Sequence, residues 1–383
     1  MTSNFKGFSD SKASSLGLDD VTFANTEISH IDGAQGELWI RGYPIEALSG
    51  HASFEAVCGL LWDGALPDAE REAEIRDSLG RARTAAYERR SRWLEPALRH
   101  SEPMAGLRAG LALTEAPSDE FSEACLVTAT AGLFLAAWQS RVRGSELSEP
   151  SPSESHARDL VRLGNGSGDE ERARALDAYL VTVAEHGMNA STFTARVVAS
   201  TESDTVSAVT AAVGALKGRL HGGAPGPVLD MLDAVGTEDR ARAYLEAELA
   251  ANRRIMGMGH RIYRVRDPRA LVLERATQRL AGAQHTPRLN LARHVERVAT
   301  ELLAERHPER RLCANVEFFT AVLLEAVSVP RELFTVTFAA ARVAGYCAHI
   351  AEQRRRGRIV RPASRYVGPR PSGEAPTVLA VSA

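Results

Sequence analysis

The stretch ACLVTATAGLFLAAWQS, residues 124–140, carries no charged side chain. It falls short of the roughly 20 apolar residues a membrane span needs, and it contains Thr, Gln and Ser. The better reading is a helix buried on all sides, around which other helices must pack. Two further stretches make the same demand. DTVSAVTAAVGALKGRL at 204–220 is almost free of charge. In LFTVTFAAARVAGYCAHIAEQ, Arg342 is the only charge between Glu332 and Glu352. A chain with three such stretches must build a helical core, and the fold class read here is all-α.

The rest of the sequence fits that frame. ISHIDGAQGELWIRGYPI (28–45) alternates apolar and polar residues around a Gly-containing turn, which predicts a small β-hairpin. FEAVCGLLWDGALP (54–67) predicts a helix stopped by Gly and Pro. Strong helix formers fill REAEIRDSLGRARTAAYERRSRWLEPAL, and one helical pattern runs through 171–201. Further helices are expected at 228–250, 269–282, 288–306, 314–327 and 331–354. The Ser-, Pro- and Gly-rich stretch 141–170 predicts a long surface loop, and the proline-containing tail from Gly357 predicts irregular chain.

Several function classes are disfavoured. With 46 basic and 49 acidic residues the net charge is −3, which argues against a general nucleic-acid binder. The four cysteines at 58, 125, 313 and 347 form no CxxC pair. The start, MTSNFKGFSDSK, lacks an apolar signal core, so a cytoplasmic location with reduced thiols is expected. There is no Walker A, GxGxxG or HExxH motif, and GNGSGD at 164–169 is not a nucleophile elbow.

Against that neutral background, RIMGMGHRIYRVRDPR (254–269) concentrates five arginines and His260, with Asp267 the only acid. Gly257 and Gly259 leave the backbone bare just before the histidine. His221, in RLHGGAP, lies between an apolar helix and the next helix start. There a neutral imidazole is favoured and can donate to a developing oxyanion. Alone, it reads rather as a turn histidine with glycine punctuation. His186, in EHGMNAS, falls within the helical pattern, and by itself reads as a core histidine bonded to a carbonyl. Arg342 must pair or snorkel, and a carboxylate is its natural partner. Glu317 opens the apolar helix NVEFFTAVLLEAV. It is either an ordinary first-turn acid or a general base whose pKa is raised by desolvation. Three histidines plus Glu317 do not have spacing that asks for zinc.

Taken in order, HGMNAST, LHGGA, MGMGHRIYRVRDPR, NVEFF, FAAARVAGYCAH and VRPASRYVG resemble the citrate synthase family, and GELWIRGYPIEAL is similar to its entrance hairpin. The resemblance runs from about residue 18 to 370 and is nearest the shorter bacterial branch, which includes citrate and 2-methylcitrate synthases. It implies a two-domain helical fold: a large domain at 1–224, a small domain at 225–332 closing over a cleft, and a return to the large domain with the tail at 333–383. It further implies a homodimer, no metal, no permanently bound cofactor, no membrane or nucleic-acid partner, and condensation of acetyl-CoA with oxaloacetate to give citrate and CoA.

Residue by residue, the resemblance makes His221 the donor to the thioester oxygen and His260 the group that polarises the ketone. His186, Arg269 and Arg342 would hold the oxaloacetate carboxylates, and Arg361 would reach the partner subunit's site. Arg264 would meet a CoA phosphate, and Gly257 and Gly259 the adenine end. Glu317 stands where the family's usual base is an aspartate. The extra methylene adds about 1.5 Å of reach, and a misplacement of roughly 1 Å can cost about a hundredfold in rate. A set-back backbone at Glu317 is therefore expected. The alternatives are a propionyl-CoA-using 2-methylcitrate synthase, or a weakly active protein that binds CoA or dicarboxylates.

Overall fold

The computed structural model describes residues 21–222, 225–260, 262–281, 287–364, 366 and 368. Strands β1 (Ser29–Asp32), β2 (Glu37–Ile40) and β3 (Tyr43–Pro44) form an antiparallel sheet in that order. Ile31 faces Leu38 and Ile40 faces Tyr43 across it. Leu38 and Ile40 are buried while Trp39 between them is exposed, the alternation of a one-sided sheet. The expected hairpin is present and gains a third short strand.

Among the described residues the other named elements are helical. The first part of the chain forms α1 (Ile45–Leu48), α2 (Phe54–Asp63), α3 (Ala69–Glu88), α4 (Arg90–Leu98), α5 (Pro103–Ala112) and α6 (Glu120–Val142). Then come α7 (His156–Asn165), α8 (Glu170–Val183), α9 (Ala190–Ala199) and α10 (Thr205–Leu216). The last part forms α11 (Pro225–Val235), α12 (Ala241–Ala250), α13 (Pro268–Ala281), α14 (Pro287–Arg306), α15 (Val316–Ala326) and α16 (Phe334–Arg356). Side chains of Ser53, Asp68, Asp119, Asp169, Asn189, Asp204 and Asn315 accept the first free N–H groups of their helices.

The centre lies where the uncharged runs placed it. Within 124–140 only Leu126 is not buried, and α6 packs on α3, α7 and α16. Helix α6, and α16 with its preceding turn, are long and apolar enough to cross a membrane by length and composition, but both lie mostly buried within the protein.

Three expectations need correcting. The stretch 141–170 is not one loop: α7 forms inside it, started by Ser155 and ended by Gly166 at φ +75°. Its Asp159 pairs with fully buried Arg83 of α3 at 2.9 Å. A Cβ on Gly80 would stand 2.0 Å from the Pro152 carbonyl oxygen, so this glycine lets the segment lie directly on α3. The flanking Ser, Pro and Gly residues hid a short amphipathic helix. Next, the 171–201 pattern breaks into α8 and α9 at Gly187 (φ +62°), so His186 lies in a turn, not in a helix. Finally, 228–250 divides at Gly236 (φ +75°) into α11 and α12. Gly236 directly follows Val235 and ends α11, whereas α8 ends at Val183, four residues before Gly187; apolar periodicity continues across both breaks.

Candidate active site

The α8–α9 turn is built by a carboxylate. Glu185, wholly buried, accepts through Oε1 from the Gly187 N–H (2.6 Å), the Ser29 hydroxyl (2.8 Å) and His349 Nε2 (3.0 Å). Arg196 in turn donates to His349 Nδ1 (3.0 Å) and to Glu352 (2.6 Å). Burial opposes charge on Glu185, but His349 and Arg342 hold its pKa below the ordinary value. This network fixes the turn that presents His186, which is 8% exposed and lies 3.2 Å from the Tyr263 hydroxyl through Nε2.

His260 stands beside it, its ring centroid 5.8 Å from that of His186 and 4.8 Å from that of Tyr263. Its Nδ1 accepts backbone N–H groups from Ile262 (3.0 Å) and Tyr263 (3.1 Å). With Nδ1 an acceptor, a neutral ring carries its proton on Nε2. His221 is held the opposite way round. Its Nε2 receives the Ser191 N–H (3.3 Å) and lies 2.8 Å from the Ser191 hydroxyl, which leaves Nδ1 as the donor. Burial, then the charge of Arg342, lowers His221 to about 4. Burial, then Arg269, lowers His260 to about 4. His186 is pushed well down by burial and by the same two arginines. All three rings are therefore neutral near pH 7.

The two arginines differ in their partners. Arg269 is gripped by Asp267 through Nε (3.0 Å) and Nη2 (2.7 Å), with Nη1 as the remaining corner of the fork. Arg342 is 1% exposed and donates Nε to the Val183 carbonyl at 2.7 Å. Its guanidinium lies 4.5 Å from the Phe338 ring centre. Its Nη2 is buried without a hydrogen-bond partner. The carboxylate partner expected for Arg342 is not found among the described residues. A buried guanidinium corner with no acceptor is costly, and a dianionic ligand is the kind of group that satisfies it.

Glu317 enters from the first turn of α15, behind the Asn315 cap, whose side chain accepts the Glu317 N–H at 3.0 Å. Burial first, then Asp267, raises its pKa to about 7 against the opposing pull of Arg269 and Arg342. The backbone before it is tied to the glycine segment. The Gly259 N–H donates to Cys313 O (2.7 Å) and the Asn315 N–H to Gly257 O (2.9 Å). The Asn315 amide donates to Gly259 O at 2.9 Å. Both glycines have positive φ, +75° and +84°, and a Cβ on Gly257 would meet the Phe318 ring at 2.8 Å. Within the chain, then, the bare backbone beside His260 serves to seat the loop that carries Glu317.

A family model described as "Citrate synthase, C-terminal domain" matches residues 17–363. The chain belongs to the citrate synthase family. The "Putative citrate synthase 2" of Mycobacterium tuberculosis is 40% identical over 369 residues, 93% of each chain. The citrate synthase of Haloferax volcanii is 36% identical, with 92% of this chain and 95% of that one covered. The crystal structure of the Thermotoga maritima citrate synthase superposes with a TM-score of 0.81 at 32% identity, covering 94% and 98% of the two chains. That of Pyrobaculum aerophilum gives 0.83 at 31% identity, covering 94% of each.

For a citrate synthase relative, the sequence singled out a set that the fold largely assembles. Arg269 acts electrostatically on His186, His260 and Glu317, and Arg342 acts on His186, His221 and Glu317. Arg264 and Arg361 share no hydrogen bond, ion pair or ring contact with this group among the described residues. Arg264 is exposed and donates its backbone N–H to Gly33 O (2.7 Å) in the β1–β2 turn. Arg361 is exposed in the irregular segment after α16. Arg266 is structural, bridging Glu274 and Glu296 at 2.7 and 2.6 Å, and Arg261 lies outside the described residues. The sequence reading missed Glu185, Ser191 and Tyr346. Signals were available: Tyr346 is four residues after Arg342 on the same helix face, and Ser191 follows the Asn189 cap by two.

Proposed function

We propose that this chain condenses acetyl-CoA with oxaloacetate to give citrate and free CoA. One observation carries the reading. A carboxylate with a pKa near 7, Glu317, shares the field of two buried arginines with two neutral histidines whose hydrogen-bond partners fix which nitrogen donates. Glu317 takes a proton from the acyl methyl carbon while His221 Nδ1–H donates to the thioester oxygen, giving the enol. The enol carbon attacks the ketone of oxaloacetate, whose oxygen receives the His260 Nε2 proton. Water then cleaves the citryl thioester and releases CoA as the thiol. The Nη2 corner of Arg342, the Nη1 corner of Arg269 and His186 hold the dicarboxylate. Neutral histidines suit this chemistry because a donor of low acidity lies closer in proton affinity to the strongly basic enolate oxygen than an imidazolium would, and does not trap the Glu317 carboxylate as an ion pair.

The remainder of the site follows the family resemblance. Arg264 takes a CoA phosphate, Gly257 and Gly259 flank the adenine end, and Arg361 completes the partner's site in a cytoplasmic homodimer. The segment 225–332 closes as a small domain and excludes water. Mixing protein with oxaloacetate and either acetyl-CoA or propionyl-CoA, and following free thiol, tests the proposal. Faster thiol release with acetyl-CoA is expected. No thiol above background with either thioester overturns it, and a preference for propionyl-CoA reassigns the chain to methylcitrate formation.

A further inference from the structure

Tyr346 lies on α16 with no exposed surface, and its hydroxyl donates to Ser191 Oγ at 2.6 Å. Ser191, also wholly buried, has one hydroxyl proton and two possible acceptors. These are Asn189 Oδ1 at 2.7 Å and His221 Nε2 at 2.8 Å. The two choices have opposite consequences. A proton sent to His221 Nε2 confirms that nitrogen as acceptor and leaves the ring proton on Nδ1. A proton sent to Asn189 leaves Ser191 Oγ free to accept from a His221 ring protonated at Nε2 instead.

Asn189 is poorly placed to win. Its Oδ1 already accepts the N–H groups of Ser191 and Thr192, both at 3.1 Å; the Ser191 N–H is shared with His221 Nε2 at 3.3 Å, so it holds that ring more weakly than the hydroxyl does at 2.8 Å. Its amide nitrogen donates to Gly187 O at 3.2 Å, which fixes which end is oxygen. Tyr346 tips the balance further. Its proton occupies one lone pair of Ser191 Oγ, and donation into a hydroxyl strengthens that hydroxyl as a donor in turn. Burial raises the Tyr346 pKa to about 12, so the phenol keeps its proton under all ordinary conditions.

We propose that Tyr346 is a positioning residue that sets the tautomer of His221 through Ser191, so that Nδ1–H faces the thioester oxygen. The inference deepens the condensation reading and rests on it for its kinetic consequence. The tautomer itself can be read without any turnover.

The test uses full-length protein with nitrogen-15 histidine, the His221 signal being assigned by its loss in His221→Gln. In the wild type, Nδ1 should give the protonated-nitrogen shift and Nε2 the unprotonated one. In Tyr346→Phe, which removes one oxygen, the two signals should move towards an averaged mixture. kcat for CoA release should fall roughly tenfold with KM changed less than about twofold, a fraction of the loss from deleting an oxyanion donor. In a Ser191→Ala background the Tyr346→Phe change should have no further effect. Unchanged His221 shifts in Tyr346→Phe, or equal effects of that change with and without Ser191, would overturn the proposal. If Tyr346→Phe does not fold, Ser191→Ala alone decides, since an unmoved His221 tautomer there also overturns it. Absence of CoA release by the wild type sinks the condensation reading and leaves the tautomer measurement standing.

Discussion

Acidification from pH 8 to 6 should remove most of the kcat/KM for condensation, and Glu317 should be responsible. With its pKa raised to about 7, Glu317 is about nine-tenths ionised at pH 8 and about one-tenth at pH 6, so the rate falls roughly tenfold. The histidines do not obscure this window, because His221 and His260 titrate at about 4 and His186 is pushed well down. The same group should leave a mark on stability. Its folded pKa lies above its unfolded one, so between about 4.5 and 7 the folded state binds more protons, and stability is lost as pH rises through that interval. Glu317→Gln removes the penalty. The variant should be nearly as stable as wild type at about pH 4.5, and more stable at pH 8 by up to about 3 kcal/mol, the cost of raising the carboxyl from 4.5 to about 7. Denaturant unfolding at the two pH values, without ligand, measures the second effect, and thiol release across the pH range measures the first. A kcat/KM that is flat from pH 6 to 8, or a Gln variant that keeps full activity, refutes the assignment of Glu317 as base.

Two further outcomes follow from the geometry. Arg342→Met should weaken oxaloacetate binding at least about thirtyfold by calorimetry while leaving the ligand-free protein as stable or more so, because the unpaired Nη2 is removed with its charge. A merely structural Arg342 would instead show lower thermal stability. Gly257→Ala should destabilise by about 1–3 kcal/mol, from positive φ and the 2.8 Å approach to Phe318, and should depress kcat by shifting the loop before Glu317. Wild-type unfolding midpoint and kcat in that variant would contradict the role assigned to the close packing there.

The uncharged run at 124–140 and the lone Arg342 were legible because burial leaves a compositional trace that no surface segment needs. The breaks around Gly187 and at Gly236 were not, since apolar periodicity passes over them. The same limit applies to the site. His186, His221 and His260 stand out in sequence by their glycine and asparagine neighbours. The tautomers of His221 and His260 depend on Ser191, Tyr346 and the backbone of Ile262 and Tyr263, whose roles exist only once distant segments meet. Glu185 lies inside the 171–201 pattern with no signal of its own, and its part in shaping the turn needs Ser29 and His349, far away along the chain.

The short pairing between 257–259 and 313–315 has a consequence for how such a site changes over time. His260 follows directly from one side of that pairing and Glu317 from the other, joined by the Gly259–Cys313 and Gly257–Asn315 hydrogen bonds and by the Asn315 amide. The two groups proposed here as ketone donor and as base are thus set by a common jig. The spacing of His260 and Glu317 is set by this short pairing, although α13 and α14 lie between them in sequence. A transplant of the Glu317 loop into another scaffold would have to bring the glycine segment with it.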